Sequence, residues 1–95
     1  MNNEHLYVLN KIDNVAIALE DIQAGKRYQI KGKYLEIIDN IPFGFKVSLE
    51  DIKKGANIIK DGFPIGVAVE DIPSGSLVHV HNLKSNRSKE WVMTK

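Results

Sequence analysis

A six-residue pattern, Glu-Asp-Ile-x-x-Gly, occurs three times in this chain of 95 residues and constrains its fold more than any other feature. The copies span residues 20–25, 50–55 and 70–75, and each follows a run in which every second residue is Val, Ile or Leu. Alternation with a period of two places one face of a strand against a core. Within the pattern, Asp is a typical cap for a short turn, Ile points back into the core, and Gly suits the left-handed conformation that lets the chain reverse.

The spacing of the three copies indicates a single domain. Successive copies start 30 and then 20 residues apart, so the chain reuses a corner and is not a repeat array of fixed period. We interpret the acidic residues of these corners as structural, because an acidic residue at a turn is usually a cap and not a catalyst. A new strand is predicted after each Gly, over residues 26–30, 56–60 and 76–81.

Turn signals between the corners support an all-β prediction. Gly32 lies between two runs rich in β-branched and aromatic residues, and Asp61-Gly62 is a typical two-residue hairpin turn. Pro64 then confines its strand to a sheet edge or a bulge. The Asp13-Asn14 pair predicts a turn before the first strand. No window shows a sustained period of 3.6 residues, so we expect many short strands, with helix limited to single turns.

Charge and composition exclude several classes of protein. The net charge of +1 provides no basic field for nucleic acid or an anionic membrane, and no apolar run is long enough to span a bilayer. The chain has no Cys, which excludes disulfides and thiolate sites. The first residues lack the basic and apolar regions of a signal peptide, so we expect a cytoplasmic protein.

The chain divides into three predicted segments. Residues 1–8 form a loose N-terminus in which His5 is solvated, and residues 9–83 form the single domain. Residues 84–95 form a largely polar tail that carries Trp91, the only Trp. This tail is either a last strand or frayed end folded onto its own domain, or a segment that docks on another subunit, since Trp is a favoured interface anchor.

Two histidines near the end of the domain are the candidates for chemistry. His79 and His81 are two residues apart on a predicted strand, so both imidazoles would project from one face and could supply two metal ligands. That set is one or two ligands short, and no carboxylate nearby in sequence completes it. With Asn82, the pair could instead donate hydrogen bonds to an anionic substrate, or simply lie on an exposed strand face. No nucleophile or phosphate-loop signature is present, so catalytic residues are unknown and the chain does not resemble a complete enzyme.

Residues along most of the chain are similar to those of a known family. They are, in order, Asp13-Asn14-Val15-Ala16-Ile17-Ala18-Leu19 with the corner after it, Ile41-Pro42-Phe43-Gly44, Lys46-Val47-Ser48-Leu49, the corners at 51–55 and 71–75, and Val78-His79-Val80-His81-Asn82-Leu83. In this register residues 9–83 resemble the N-terminal SAF domain of the altronate and galactarate dehydratases, and residues 78–83 are the most specific part. The resemblance implies a β-clip fold, an all-β arrangement of short bent hairpins that is also found in antifreeze-like domains.

The same resemblance implies a function in sugar-acid metabolism. In this family the SAF domain is fused to a large catalytic part or forms a separate small subunit, as in sulfolactate sulfo-lyase, and a chain that stops at Lys95 resembles the separate form. The implied reaction is dehydration of a sugar acid to a 2-keto-3-deoxy acid, with a divalent metal (Fe²⁺, Mn²⁺ or Mg²⁺) shared with the large catalytic subunit. Most catalytic groups would then lie on that partner, and this chain would be inactive alone.

The resemblance also assigns candidate site residues. It marks His79, His81, Asn82 and Lys46 as substrate- or metal-proximal positions. One position departs from the family pattern: the family usually has Gly-His-Lys where this chain has Gly44-Phe45-Lys46. Phe45 cannot replace the His, because a phenyl ring has neither a proton to exchange nor a lone pair for a metal. Two other functions remain open: a non-catalytic β-clip module that binds a carboxylated sugar or a partner protein, and a homo-oligomer formed through exposed strand edges. The leaving group, water or sulfite, is also open.

Overall fold

Short antiparallel strands make up the fold, and the all-β prediction is confirmed. The computed structural model describes residues 4–86, and nine strands lie in that range. The strands are β1 (Leu6–Tyr7), β2 (Val15–Ala18), β3 (Arg27–Ile30), β4 (Lys33–Glu36), β5 (Lys46–Ser48), β6 (Asn57–Lys60), β7 (Phe63–Ala68), β8 (Leu77–Val78) and β9 (Leu83–Ser85).

The strands form one central sheet and two smaller ones. The central sheet has the order β1-β2-β5-β8, the β3-β4 hairpin stands alone, and β6, β7 and β9 form a three-stranded sheet. All pairings are antiparallel, with Ala16 opposite Val47 at the middle of the central sheet. Two groups of buried apolar side chains form the core, one shared by the central sheet and the β3-β4 hairpin, the other shared by β6, β7 and β8.

The corners meet in pairs, and there are four of them among the described residues. The first corner pairs with residues 39–44 through a bridge between Ile22 and Ile41, and the second pairs with the third through a bridge between Ile52 and Ile72. All four Ile side chains are at most 3% exposed. The segment at 39–44, Asp-Asn-Ile-Pro-Phe-Gly, is a fourth copy that the sequence pattern misses because Asp39 replaces the usual Glu and Asn40 replaces the usual Asp.

Each corner is capped by the side chain of its partner corner. We predicted that each Asp caps its own turn, and the structure corrects this: the carboxylate reaches the facing turn. The four acceptor–donor pairs are Asp21 Oδ1 with Phe43 N (2.8 Å), Asn40 Oδ1 with Ala24 N (2.9 Å), Asp51 Oδ1 with Ser74 N (2.9 Å) and Asp71 Oδ1 with Lys54 N (2.9 Å). The two turns of a pair therefore satisfy each other's free backbone N–H groups.

Removing one of these reciprocal caps should destabilise the domain measurably. We expect Asp51→Ala to lower the free energy of unfolding by about 1 kcal/mol, because the Ser74 N–H loses its acceptor. Asp51→Asn should lower the free energy of unfolding by only a few tenths of a kcal/mol, since the Asn40 side chain accepts the equivalent hydrogen bond in the other pair of corners. Urea unfolding followed by circular dichroism gives both values. Equal losses of stability in Asp51→Ala and Asp51→Asn would show that the charge of Asp51, and not its hydrogen bond, stabilises the domain.

The two predicted hairpin turns are confirmed. Lys31 and Asp61 have φ of 55°, and the Gly after each also has positive φ, so both turns are of the type I′ that suits the twist of a hairpin. The β6-β7 register shifts between Ile58 and Ile59, which places Pro64 at a bulge, as predicted.

Part of the N-terminal segment forms β1, which the sequence pattern did not predict. Leu6 and Val8 are buried, because β1 adds to the edge of the central sheet beside β2. His5 is partly buried, with 33% of its side chain exposed. Its Nδ1 lies 2.7 Å from Glu20 Oε2, and its ring packs on Tyr28 with centroids 4.8 Å apart. Burial, with the nearby Glu20 carboxylate, raises the pKa of Tyr28.

The predicted turn before β2 is present at residues 10–13, where Asp13 N donates to Asn10 O at 3.0 Å. Asp13 and Asn14 also form a buried junction, which the sequence did not indicate. Asp13 is 2% exposed, and its carboxylate accepts hydrogen bonds from Gly62 N (2.8 Å) and Asn10 N (3.0 Å). The Asn14 amide donates to Asn57 O (2.9 Å) and accepts from Ile59 N (2.7 Å). These two side chains therefore join the chain before β2 to the β6-β7 hairpin.

Candidate functional site

The segment after β8 is a turn, which corrects the predicted strand over residues 76–81. Strand β8 ends at Val78, and the next residues reverse direction into β9. Asn82 closes this turn: its Oδ1 accepts from His79 N (2.9 Å), and its Nδ2 donates to Leu77 O (2.9 Å). Asn and Asp commonly form such local bonds to the backbone, so the type of residue 82 was the sequence signal for the turn.

This turn separates the candidate residues. Asn82 is 3% exposed, and both ends of its amide are occupied by backbone groups. His81 is exposed. His79 packs against Phe45, with ring centroids 4.8 Å apart and planes inclined by 51°. The β5-β8 pairing places Lys46 opposite Val78, the residue before His79. Of the four candidates, Lys46 and His79 therefore line the same surface cleft, described next. His81 is not among its lining residues, and Asn82 stabilises the turn.

Lys46 and His79 line a surface cleft with a volume of about 850 Å³. Its apolar wall contains Ile65, Val78 and Leu83, and the lining continues through Lys60, Pro64, Val80, Ser85 and Asn86. Sequence reasoning missed Lys60 and the β9 residues, because their place depends on the long-range pairing of β7 with β9. A concave site of this size with an apolar wall and a few polar groups is typical of small-ligand sites.

The charges of this cleft favour an anion. Among the residues between 4 and 86 that line it there is no Asp or Glu, whereas there are two Lys. Lys60 Nζ lies 2.7 Å from Asp61 Oδ2, so its charge is largely compensated. Lys46 is half-buried and has no ion-pair partner within residues 4–86. An ammonium group beside an apolar wall attracts a carboxylate more strongly than one in open solvent does.

The described residues do not by themselves make up a metal site. No three side chains of His, Cys, Asp or Glu come together in the part of the chain that the structure describes. His79 and His81 would supply two ligands at most, and a catalytic metal usually takes three from protein. Acid–base chemistry in the cleft is also limited, since His79 is the only imidazole or carboxylate among the described lining residues. This lining can bind and orient an anion but supplies no carboxylate base from residues 4–86.

Within residues 4–86 no helix is long and apolar enough to cross a membrane.

Comparison with known proteins agrees with the all-β fold. Residues 4–86 match the family described as the altronate/galactarate dehydratase SAF domain. The chain is 48% identical over 80 residues to altronate dehydratase of Bacillus subtilis and 41% identical over 80 residues to that of Escherichia coli. Each match covers 84% of this chain and only 16% of the dehydratase.

A second kind of relative matches over nearly its full length. The chain is 30% identical over 89 residues to (2R)-sulfolactate sulfo-lyase subunit alpha of Chromohalobacter salexigens, which covers 85% of this chain and 95% of that subunit. The family match spans both β-clip corner pairs and the turn at residues 79–82. On this evidence the chain belongs to the altronate/galactarate dehydratase SAF domain family.

Proposed function

We propose that this chain is the SAF subunit of a sugar-acid dehydratase or related lyase, that it works with a separate large catalytic subunit, and that Lys46 binds the substrate carboxylate. The observation that carries this proposal is the cleft, in which the Lys46 ammonium group has no ion-pair partner and no acidic residue joins the lining, within the described part of the chain. The sugar acids named by the family all carry carboxylates.

The lengths of the relatives support a division of labour between two chains. The dehydratases extend far beyond the 16% that this chain matches, so most of their residues have no counterpart here. The sulfo-lyase relative is described as a subunit, and this chain covers 95% of it. In the proposal, a second chain supplies what the rest of the dehydratase supplies in the fused form.

Each cleft residue then has a defined task in the reaction. Removal of the proton α to a carboxylate builds negative charge on the carboxylate oxygens, and a fixed cation lowers the energy of that state. Lys46 supplies this cation, and the apolar wall limits competition from water. His79, held against Phe45, can hydrogen-bond a hydroxyl or carboxylate of the substrate. The base and the ligands of any divalent metal (Fe²⁺, Mn²⁺ or Mg²⁺) would come from the large subunit.

A second function, a non-catalytic module that binds a carboxylated sugar, is favoured by a specific observation. The cleft lies within one chain and its described lining has no carboxylate to act as a base. This module would bind the sugar acid through the same Lys46 but would need no large subunit. The two proposals therefore share the site and differ in the partner.

Reconstitution with a large subunit tests the proposed function. The chain is used as bait in an extract of its native host, and a retained dehydratase-like or sulfo-lyase-like large chain is identified by mass spectrometry. The purified pair is then assayed on altronate, galactarate and sulfolactate, which separates loss of water from loss of sulfite. We expect Lys46→Gln to lower kcat/KM on the order of tenfold to a hundredfold, the usual value of a charged hydrogen bond.

A matched variant controls for the change in charge. Lys33 is exposed on β4 and does not line the cleft, so Lys33→Gln should leave kcat/KM unchanged. Equal losses in the two variants would exclude a specific role for Lys46. If no large chain is retained, even after crosslinking, while the chain alone binds galactarate, the binding-module function replaces the lyase function.

A further inference from the structure

The two Lys residues that line the cleft lie on different sheets. Lys46 belongs to β5 of the central sheet, and Lys60 belongs to β6 of the three-stranded sheet. The cleft lies between these sheets, and it is also lined by Ser85 of β9, with Asn86 after it, on the same sheet as Lys60. A ligand that fills the cleft therefore meets one ammonium group on each side.

Asp61 compensates the charge of one of these two ammonium groups. Within residues 4–86 Lys46 has no ion-pair partner, whereas Lys60 Nζ lies 2.7 Å from Asp61 Oδ2. Both members of this pair are partly buried, with 27% of the Lys60 side chain and 39% of the Asp61 side chain exposed. The Lys46 side of the cleft thus carries one positive charge, and the Lys60 side is close to neutral.

The backbone of a turn holds Asp61 beside Lys60. Asp61 has φ of 55° and precedes Gly62 in the type I′ turn between β6 and β7. Its carboxylate accepts one of the three N–H groups of Lys60, so the ammonium group can still donate to a hydroxyl oxygen. A hydroxyl group also costs less to remove from water than an ionised carboxylate does. The Lys60 side therefore suits uncharged hydroxyl groups better than a second anion.

We propose that Asp61 determines the substrate class of the cleft: by compensating Lys60, it favours polyhydroxy acids with one anionic group over acids with a second one. This inference rests on the proposed function, in which Lys46 binds the first carboxylate. The hydroxyl end of such an acid then lies on the Lys60 side, beside Ser85 and Asn86. A second carboxylate there would meet the Asp61 carboxylate as well as the ammonium group, so attraction and repulsion largely cancel.

Galactonate and galactarate are a matched pair of probes for this selectivity. They share the configuration of their hydroxyl groups and differ at one end, which is CH₂OH in galactonate and a carboxylate in galactarate. Binding to the full chain is followed by the amide NMR signals of Lys46 and Lys60, which report the two sides of the cleft separately. We expect galactonate to bind the wild type about threefold more tightly than galactarate does.

Asp61→Asn tests the role of the carboxylate directly. This variant keeps the turn, since Asn-Gly is a preferred pair in type I′ turns, and it removes the charge that compensates Lys60. Galactarate should bind Asp61→Asn about threefold to tenfold more tightly than it binds the wild type, whereas galactonate affinity should change by less than about twofold. The double variant Lys60→Gln/Asp61→Asn should lose this gain, because the second ammonium group is then absent.

Glu70→Gln is the charge-matched control. Glu70 is exposed on the third corner and is not among the described lining residues, so its neutralisation should change the affinity for neither acid. A gain in galactarate affinity of equal size in Glu70→Gln would overturn the inference. Equal gains for both acids in Asp61→Asn would also overturn it, since either result would reflect the overall charge of the chain and not selection at the Lys60 side.

Lys46→Gln separates this inference from the function on which it rests. If this variant binds galactonate on the order of tenfold more weakly, while Asp61→Asn leaves the preference between the acids unchanged, the carboxylate site stands and the role of Asp61 is overturned. If Lys46→Gln weakens the binding of neither acid, or neither acid binds the wild type, the carboxylate site itself is overturned, and this inference with it.

Discussion

Gly75→Ala is expected to destabilise the domain more than any other substitution considered for it. A Cβ at this position would lie 1.9 Å from Glu36 O, a backbone atom that cannot rotate away, and the residue has φ of +83°. The clash arises because the third corner packs directly on the end of β4, where Ile38 N also donates to Gly75 O at 3.0 Å. We expect a loss of at least about 4 kcal/mol, a large fraction of the stability of a small domain.

Two further glycines separate the causes of this loss. Gly55 is the equivalent residue of the partner corner, with φ of +87° and nothing near its Cβ position, so Gly55→Ala tests conformational strain alone and should cost about 1–2 kcal/mol. Gly66 has ordinary φ, but its Cβ would lie 2.4 Å from Lys84 O, so Gly66→Ala tests the clash alone. Urea midpoints, followed by far-UV circular dichroism, rank the stabilities of the Gly55→Ala, Gly66→Ala and Gly75→Ala variants. Equal losses for Gly55→Ala and Gly75→Ala would contradict the role of the Glu36 contact.

Asp13→Asn is expected to produce the second-largest effect and to remove part of the acid sensitivity of the domain. The carboxylate accepts from the Gly62 and Asn10 N–H groups, and an amide can replace only one of these acceptors. The other N–H would face an NH₂ group at a site that is 2% exposed. We expect the free energy of unfolding to fall by about 2–3 kcal/mol at neutral pH, as for a buried donor without a partner.

The pH dependence of this loss has a definite sign. Burial raises the pKa of Asp13, but backbone hydrogen bonds from Gly62 and Asn10 oppose it and hold the pKa below its ordinary value of 3.8. The ionised carboxylate therefore stabilises the fold fully at pH values above the unfolded pKa, and this contribution disappears as the pH falls through the lower, folded pKa. Urea midpoints between about pH 2 and 6 should fall with acid in the wild type and fall less in Asp13→Asn. Parallel curves would rule out Asp13 as a source of acid sensitivity.

The corners and hairpins could be predicted because their causes are local. The glycines at the ends of the corners have positive φ and the Ile side chains are buried, as the pattern indicated. Lys31-Gly32 and Asp61-Gly62 form the expected turns for the same reason. The fourth corner was missed because Asp39 replaces Glu and Asn40 replaces Asp, although an Asn side chain offers an acceptor oxygen just as an Asp side chain does.

The features that could not be predicted depend on contacts between distant parts of the chain. The alternation of Val and His from Val78 to His81 matches a strand, but the Asn82 amide closes a turn there. His79 and Lys46 meet because β5 pairs with β8, a long-range pairing that no local pattern encodes. Asp13 closes the predicted local turn, but its carboxylate also accepts from the Gly62 N–H, which lies 49 positions further along the chain and which no local pattern indicates. The Trp91 tail lies outside the described residues, so the choice between its two predicted roles stays a prediction.

The reciprocal caps also determine how this domain can fold. Each cap joins residues 16 to 23 positions apart, so a single corner cut out as a peptide lacks the acceptor that its turn requires. The four caps therefore form only when the facing corners meet, although the residues that favour each turn are local. Closing these loops costs entropy before any cap is gained. Folding should accordingly be cooperative and slow for a chain of this size, as expected when native contacts have high sequence separation.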